Sequence, residues 1–480
     1  MNANLRWSRI ARFSSFLPFS VLFFPVFHMI SLLSLKLPQT LCRVVLFVAA
    51  VVAFLVFLTM NTNDSIVSAS SSLRTVLSKF NTSIYYDPSY GYKIAPGAVL
   101  FLFVPKRGTK DSPKDVLKEN TALYENVMAQ EIGEPRDFDI DSIRPPENVT
   151  TYQRENATIV ALVRNNEIKK IQRTITQFEE KFNKKFGYPY TFINDEPFTE
   201  RFMEKVRGFT SAPVSFVHLD PQAWNKPEWI DTEREWREMN LLANQNVAYA
   251  KKGSYHNMCR FYSGPFFDVP EMRKYRYYWR IEPNVKFFTD VNYDVFKYLA
   301  GTGKIYGFTI SVYDIHQTVR TLFPETLKFL NKGDNYKYVN ENGAFQWITE
   351  NKQLPEKAIY TGGYSTCHFW SNFEMGDMNF FRDEAYSSWF KHLDATGNFY
   401  YERWGDAPVH SLGLALFADK RKIHWFRDIG YYHDPYMHCP NTPSRKGCDV
   451  GHFGPNEQSL SQNCMATWIR YEIDDLSSIY

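Results

Sequence analysis

No GxxxxGK[ST] or GxGxxG segment occurs in the sequence, so neither a P-loop nucleotide hydrolase nor a dinucleotide-binding enzyme is expected. An HExxH motif is missing too, which removes the commonest zinc protease, and without a GxSxG turn there is no hydrolase nucleophile elbow. Cysteine is scarce: six occur in 480 residues, and no close pair offers finger spacing. Disulfides are therefore the expected use of Cys439, Cys448 and Cys464, which sit in a tail rich in Pro, Gly and Asn. Neither sign of charge dominates. The 55 Lys and Arg against 52 Asp and Glu leave +3, with no basic stripe, so no nucleic-acid partner is expected. Internal repeats and low-complexity tracts are also lacking.

Aromatic residues, by contrast, make up 17% of the chain. Flat rings pack on the C–H faces of sugars, although a large aromatic core has the same composition. Two apolar runs lie near the N-terminus, at 13–35 and 44–60. Pro18, Pro25 and His28 break the first, which makes it a poor spanning helix. The second, VVLFVAAVVAFLVFLTM, carries no charge and no proline, and its length lies near the ~17-residue minimum for crossing a bilayer. Basic residues (Arg6, Arg9, Arg12, Lys36 and Arg43) precede it and a polar Asn-rich segment follows, so the positive-inside bias puts the N-terminus in the cytosol. A signal-anchor is expected, with residues 1–43 cytosolic, 44–60 transmembrane, 61–149 a luminal stem and 150–480 the catalytic domain. Four N-x-S/T sequons, at Asn63, Asn81, Asn148 and Asn156, all follow the anchor, as a luminal body requires. Met29 is a second candidate start, which would drop most of the broken run.

From Asn156 the character changes. Residues 157–163 (ATIVALV) read as a buried strand, 166–186 as an amphipathic helix, 190–193 as a strand and 214–219 as another. Further strands are expected at 277–281 and 304–311. Strands and helices alternating at this spacing predict an α/β fold built on a mostly parallel sheet, whose ligands collect at the carboxyl ends of the strands. The strand at 277–281 exits into Glu282, Pro283 and Asn284, oxygen ligands of the kind a hard divalent cation prefers beside a diphosphate. Taken alone, such a turn is more often structural.

Four blocks are more distinctive: SYHNMCR at 254–260, YRYYWRIEP at 275–283, CHFWSNFE at 367–374, and YYERWGDAPVHS at 400–411 followed by DIGYYH at 428–433. Together they resemble the fungal Golgi α-1,2-mannosyltransferase family, glycosyltransferase family 15, over roughly residues 150–440. The resemblance implies a GT-A type fold behind one transmembrane helix, type II orientation in the Golgi membrane, and Mn²⁺ as cofactor. It also implies GDP-mannose as donor and a mannoside on a glycoprotein or glycolipid as acceptor, joined with retention. By the same resemblance Glu282 and His433 are metal ligands, Glu374 is the carboxylate proposed as nucleophile, and Asp406 and Tyr255 lie close to the reacting sugar. Arg280 and Asn284 fall at the donor; the best-known members carry Asp at the latter position, so one negative charge is missing here.

Each of these residues also has a bland reading: Glu374 in a salt bridge, His433 as a hydrogen-bonded loop histidine, Asp406 in a turn, Tyr255 in the core. Two other functions compete with transfer. One is a carbohydrate-binding protein on the same fold with its chemistry lost, a reading that Asn284 keeps alive; the other is a luminal glycoside hydrolase. Retention itself allows either a covalent mannosyl intermediate or a same-face attack through an ion pair, and the residues do not choose between them.

Overall fold

The computed structural model describes residues 86–87, 91–92, 112–133 and 138–475. All belong to the second of two compact units, Phe80–Tyr480, while the first, Met1–Lys79, lies outside the described residues. The expected anchor at 44–60, Cys42, Asn63 and Asn81 also lie outside them. Among the described residues no helix is long and apolar enough to cross a membrane.

Twelve strands from Ala157 onward organise the body. They are β1 (Ala157–Leu162), β2 (Tyr190–Asn194), β3 (Val214–His218), β4 (Tyr277–Arg280), β5 (Lys286–Phe287), β6 (Tyr306–Phe308), β7 (Ser311–Tyr313), β8 (Cys367–Phe369), β9 (Glu374–Asp377), β10 (Ile423–Trp425), β11 (Tyr431–His433) and β12 (Tyr436–His438). Seven form one sheet in the order β10-β6-β9-β4-β1-β2-β3. Every pairing in it is parallel except those of β9, which runs antiparallel to both β4 and β6. The expected α/β architecture with a mostly parallel sheet is present. β1 and β2 are buried on both faces, which is why they read as continuous apolar runs. The segment expected as one strand at 304–311 is instead two, β6 and β7, in different sheets.

The helices that matter for the site are α1 (Pro113–Ala129), α2 (Ile168–Phe178), α3 (Thr232–Asn244), α4 (Gly253–Ser263), α5 (Asp406–Phe417) and α6 (Met465–Glu472). α2 buries Ile171, Thr174, Ile175 and Phe178, a helical i, i+3, i+4, i+7 stripe, and lays it against the sheet. Phe178 meets Trp279 of β4 edge-on, with ring centroids 4.6 Å apart. The helix continues through a π-helical turn, Glu179–Asn183, and stops at Gly187, whose φ of +69° is a left-handed conformation that glycine adopts without strain.

Of the segment expected as stem, residues 112–133 carry a helix, α1. Ser112 and Asp115 cap α1 reciprocally, and Val116, Tyr124, Val127 and Met128 are buried. Arg427 donates to the carbonyls of Val127 (2.7 Å) and Glu131 (3.0 Å), tying the end of this helix to the body, so the folded body extends N-terminal of residue 150. Cys439 pairs with Cys448, while Cys464 reaches back to Cys367 and Cys259 stays free and buried. The sequons Asn148 and Asn156 are both exposed.

Candidate active site

The turn after β4 is set by α2. The Thr174 hydroxyl donates to the Glu282 carbonyl (2.9 Å) and accepts from the Asn284 amide (3.0 Å), which fixes the loop Glu282-Pro283-Asn284 at the carboxyl end of the strand. Asn284 has φ +76°, a left-handed conformation that Asn and Asp tolerate better than other non-glycine residues, and its side chain is exposed. Two residues on, β5 pairs antiparallel with β11, Tyr431 facing Phe287 and Tyr432 facing Lys286. This small ladder carries the next residue, His433, to the Glu282 turn: His433 Nε2 lies 3.6 Å from Glu282 Oε2.

The protonation of His433 follows from its two contacts. Its Nδ1 lies 3.1 Å from the Asp434 carbonyl, which can only accept, so Nδ1 carries a proton, and Nε2, facing the Glu282 carboxylate, carries a second that a bound cation would displace. A metal-binding histidine is commonly oriented in this way. Glu282 and His433 therefore fit as one oxygen and one nitrogen ligand for a divalent cation. Among the described residues no group of three or more His, Cys, Asp or Glu converges on a metal position, so the remaining ligands would come from a bound diphosphate or water. Burial opposes ionisation of Glu282, yet the neighbouring Arg280 and His433 outweigh it and hold its carboxyl down to about 2.

Arg280 is the hub of the site. Its side chain is buried, its guanidinium stacks 3.7 Å above the Tyr262 ring, and its Nη2 donates to Glu282 at 2.5 Å. Nη1 donates to Asp406 at 2.7 Å and lies 3.8 Å from Glu374 Oε1. Both terminal nitrogens thus bond carboxylates of the chain itself. Glu374 is brought close by β9: because this strand runs antiparallel to β4, Glu374 stands opposite Arg280 in register.

Glu374 has no exposed surface. Its Oε2 accepts from the Tyr306 hydroxyl (3.0 Å) and lies 3.0 Å from His410 Nδ1, while Oε1 has no hydrogen-bond partner. Asp406, the first residue of α5, accepts from Arg280 and from the Ser371 hydroxyl (2.8 Å). Tyr255 is set apart from this cluster on α4. It stacks on the exposed Tyr249 with ring centroids 4.8 Å apart, and the Arg403 guanidinium lies 5.2 Å from its ring centre. Tyr255 also lines a cavity of about 380 Å³ between the carboxyl ends of β1 and β2, together with Arg164, Asn194, Asp195 and Lys252. A larger cavity of about 830 Å³, lined in part by Phe216, Phe267 and Phe390, touches none of the expected site residues.

With this geometry in place, comparison with known proteins is decisive. The family model for glycolipid 2-alpha-mannosyltransferases matches residues 114–473. The chain belongs to that family. It is 43% identical over 457 residues to a probable mannosyltransferase, KTR4, of Saccharomyces cerevisiae, an alignment covering 92% of this chain and 97% of the relative. The X-ray structure of the yeast mannosyltransferase Ktr4p in complex with GDP superimposes with a TM-score of 0.75 at 42% identity, covering 87% of this chain and 100% of that one. The Mn/GDP form of core-mannan synthase A from Aspergillus fumigatus gives 0.69 at 42% identity, over 72% of this chain and 93% of that one. The chain is thus a glycosyltransferase of the α-mannosyltransferase class.

Within this mannosyltransferase frame, Glu282, His433, Arg280, Asp406 and Glu374 form one connected network, Asn284 lies on its rim, and Tyr255 lies beside the neighbouring cavity. Sequence reasoning missed His410, Tyr306, Ser371 and Asn194. One signal was available: Asp406 and His410 are four residues apart at the head of a helix, which puts both on one face. Asn194 offered no signal, since it ends a strand that is buried at every position.

Proposed function

We propose that this chain transfers mannose from GDP-mannose to a mannoside acceptor with retention, forming an α-1,2 linkage. The observation carrying this reading is the approach of His433 to within 3.6 Å of Glu282 at the carboxyl end of β4, with the other imidazole nitrogen held by the Asp434 carbonyl. In the reading, those two residues hold Mn²⁺. When bound, the cation supplies charge neutralisation for the departing diphosphate without a proton transfer. The chain does the rest. Arg280 keeps Glu282 ionised and ready as a ligand. Asn194, 1% exposed with both amide atoms unpartnered, lies at the end of β2 where the cavity can accept a nucleoside base, and an amide pairs with guanine as donor and acceptor at once.

Glu282, Glu374 and Asp406 against Arg280 and a protonated His410 leave one negative charge in a cluster that is buried except at the Glu282 rim. Such a fixed field favours the positive charge that develops on the mannose ring. Because Glu374 is sealed, we read it as a stationary charge in a same-face transfer rather than as a covalent nucleophile.

The mannosyltransferase is further proposed to be a type II Golgi membrane protein anchored by residues 44–60. Two disulfides and two exposed sequons on the body support a luminal location. Protease added to sealed vesicles should spare the body, and removal of N-glycans should shift its mobility; digestion without detergent would refute the topology. For the activity, the luminal body is incubated with GDP-mannose, Mn²⁺ and a panel of mannosides, and the linkage of the product is determined. Equal GDP binding with and without Mn²⁺, and no mannoside product, would overturn the assignment.

A further inference from the structure

His410 is a buried titratable residue that the proposed transfer counts only as one charge in the cluster. It lies one turn after Asp406 on α5 and has no exposed surface. The rings of Phe267 and Phe381 pack around it, with centroids 5.8 and 5.1 Å away, and keep water out. Its Nε2 lies 2.9 Å from the Tyr262 carbonyl and its Nδ1 3.0 Å from Glu374 Oε2. A carbonyl oxygen only accepts, so Nε2 carries a proton; an ionised carboxylate only accepts, so Nδ1 carries the second. Imidazolium and carboxylate satisfy each other here, and burial, which opposes both charges, is outweighed by Glu374 and Asp406 so that the imidazole is held above its ordinary range.

The same contact makes the two oxygens of Glu374 unequal. Oε2 takes two hydrogen bonds, from Tyr306 and His410, whereas Oε1 takes none and lies on the Arg280 side, 3.8 Å from the Nη1 that Asp406 also bonds. We propose that His410 is a positioning residue: it anchors Glu374 through Oε2 in the ionised state and leaves Oε1 as the oxygen whose charge acts on the reacting sugar. The inference rests on the reading of Glu374 given under the proposed function.

The test uses the full chain with GDP-mannose, Mn²⁺ and a mannoside acceptor. His410→Asn keeps an amide donor near the Nδ1 position but removes the charge; His410→Gln projects its amide past that position. Both should bind GDP with KM for GDP-mannose within about twofold of the parent, while kcat per folded molecule falls ~10–100-fold, the range usual for a group that orients a functional ligand. The loss should be larger for Gln than for Asn. Because His410 acts through Glu374, the double variant Glu374→Gln/His410→Asn should be no slower than Glu374→Gln alone. A lowered melting temperature with unchanged kcat in His410→Asn, while Glu374→Gln is inactive, would overturn the role of His410 and leave Glu374 standing. Near-normal kcat in Glu374→Gln would overturn the reading of Glu374 itself and this inference with it.

Discussion

The site contains two carboxylate–histidine pairs built from the same residue types for opposite ends. Glu282 and His433 face solvent in part, with side-chain exposures of 26% and 32%, and stand 3.6 Å apart. Glu374 and His410 are both at 0% and stand 3.0 Å apart. In the open pair the backbone takes one imidazole nitrogen, and the other, loosely placed 3.6 Å from Glu282, can exchange its proton for a ligand. In the sealed pair both nitrogens are used, one by a carbonyl and one by the carboxylate, so nothing is left for a metal. The pairing of types therefore does not decide chemistry; the second hydrogen bond of the histidine and the access of water do. Arg280 joins the two pairs, touching Glu282 with one nitrogen and approaching Glu374 with the other.

Removing that joint is the harshest way to break the comparison. Arg280→Met leaves three carboxylates around a buried position without their cation, and loss of one partner from a buried ion pair costs about 3–5 kcal/mol. The expected outcome is a large fall in melting temperature with both metal-dependent GDP binding and turnover lost. Chemical denaturation checks it; wild-type stability in this variant would show that the two pairs are independent.

Next in size is the sealed pair alone. Glu374→Gln keeps volume and most hydrogen bonds, so kcat should fall ~10²–10³-fold, or roughly 2.7–4 kcal/mol, as for loss of one group that stabilises transition-state charge. GDP affinity should stay near the parental value. Measuring melting temperature, GDP affinity and kcat on one preparation separates this from a salt-bridge role, which predicts lowered stability with normal turnover per folded molecule.

The open pair should respond in the opposite manner. Glu282→Gln and His433→Ala are expected to weaken Mn²⁺-dependent GDP binding by ~10-fold or more, since even indirect partners of metal ligands cost ~10–100-fold when removed. The fold should be retained, because both side chains are partly exposed. Titration calorimetry with GDP, with and without Mn²⁺, reads the difference. Parental affinity and an unchanged metal response in both variants would place the cation elsewhere.

How far the sequence foretold this arrangement depends on which element is asked. β1, β2, β3 and β4 are apolar runs bounded by polar segments, so their positions and the mostly parallel sheet could be read directly. β9 could not, because its residues Glu374 to Asp377 begin and end with carboxylates, and a strand that carries charge inside a sheet violates the pattern used to find strands. α1 escaped for the reverse reason: only a few of its residues are buried, so its sequence resembles the polar segment before it. Among site residues, Glu282, His433, Glu374 and Asp406 were found through motif resemblance, whereas the reason they meet is long-range pairing, β5 with β11 and β4 with β9, which no local spacing reveals. Arg280 was placed at the donor by the same resemblance; that it also gathers Glu282 from its own turn and Glu374 and Asp406 from distant elements could not be read from local spacing. His410 sits in a helix otherwise rich in buried apolar residues, where a lone histidine looks like packing.

The smallest predicted effect sharpens the open end of the comparison. Asn284 occupies the place where the best-known members of the family carry Asp, at the exposed rim of the Glu282 turn. Its φ of +76° is equally accessible to Asp, and its backbone amide donates to Thr174 whichever side chain is present, so Asn284→Asp should leave the melting temperature almost unchanged. What changes is charge. One added carboxylate near Glu282 and His433 raises the negative potential at the cation position, but solvent screens an exposed group, so the gain should be only ~0.2–1 kcal/mol, or about 1.4–5-fold in Mn²⁺ affinity. The gain should shrink as salt rises, because the charge is reached by counter-ions. The sealed pair should not feel it, so kcat at saturating Mn²⁺ should stay the same. Metal titration of GDP binding at two ionic strengths measures all of this. A change in kcat at saturating metal would mean that the rim charge reaches Glu374, and the separation of an open, ligand-holding pair from a closed, charge-holding one would fail.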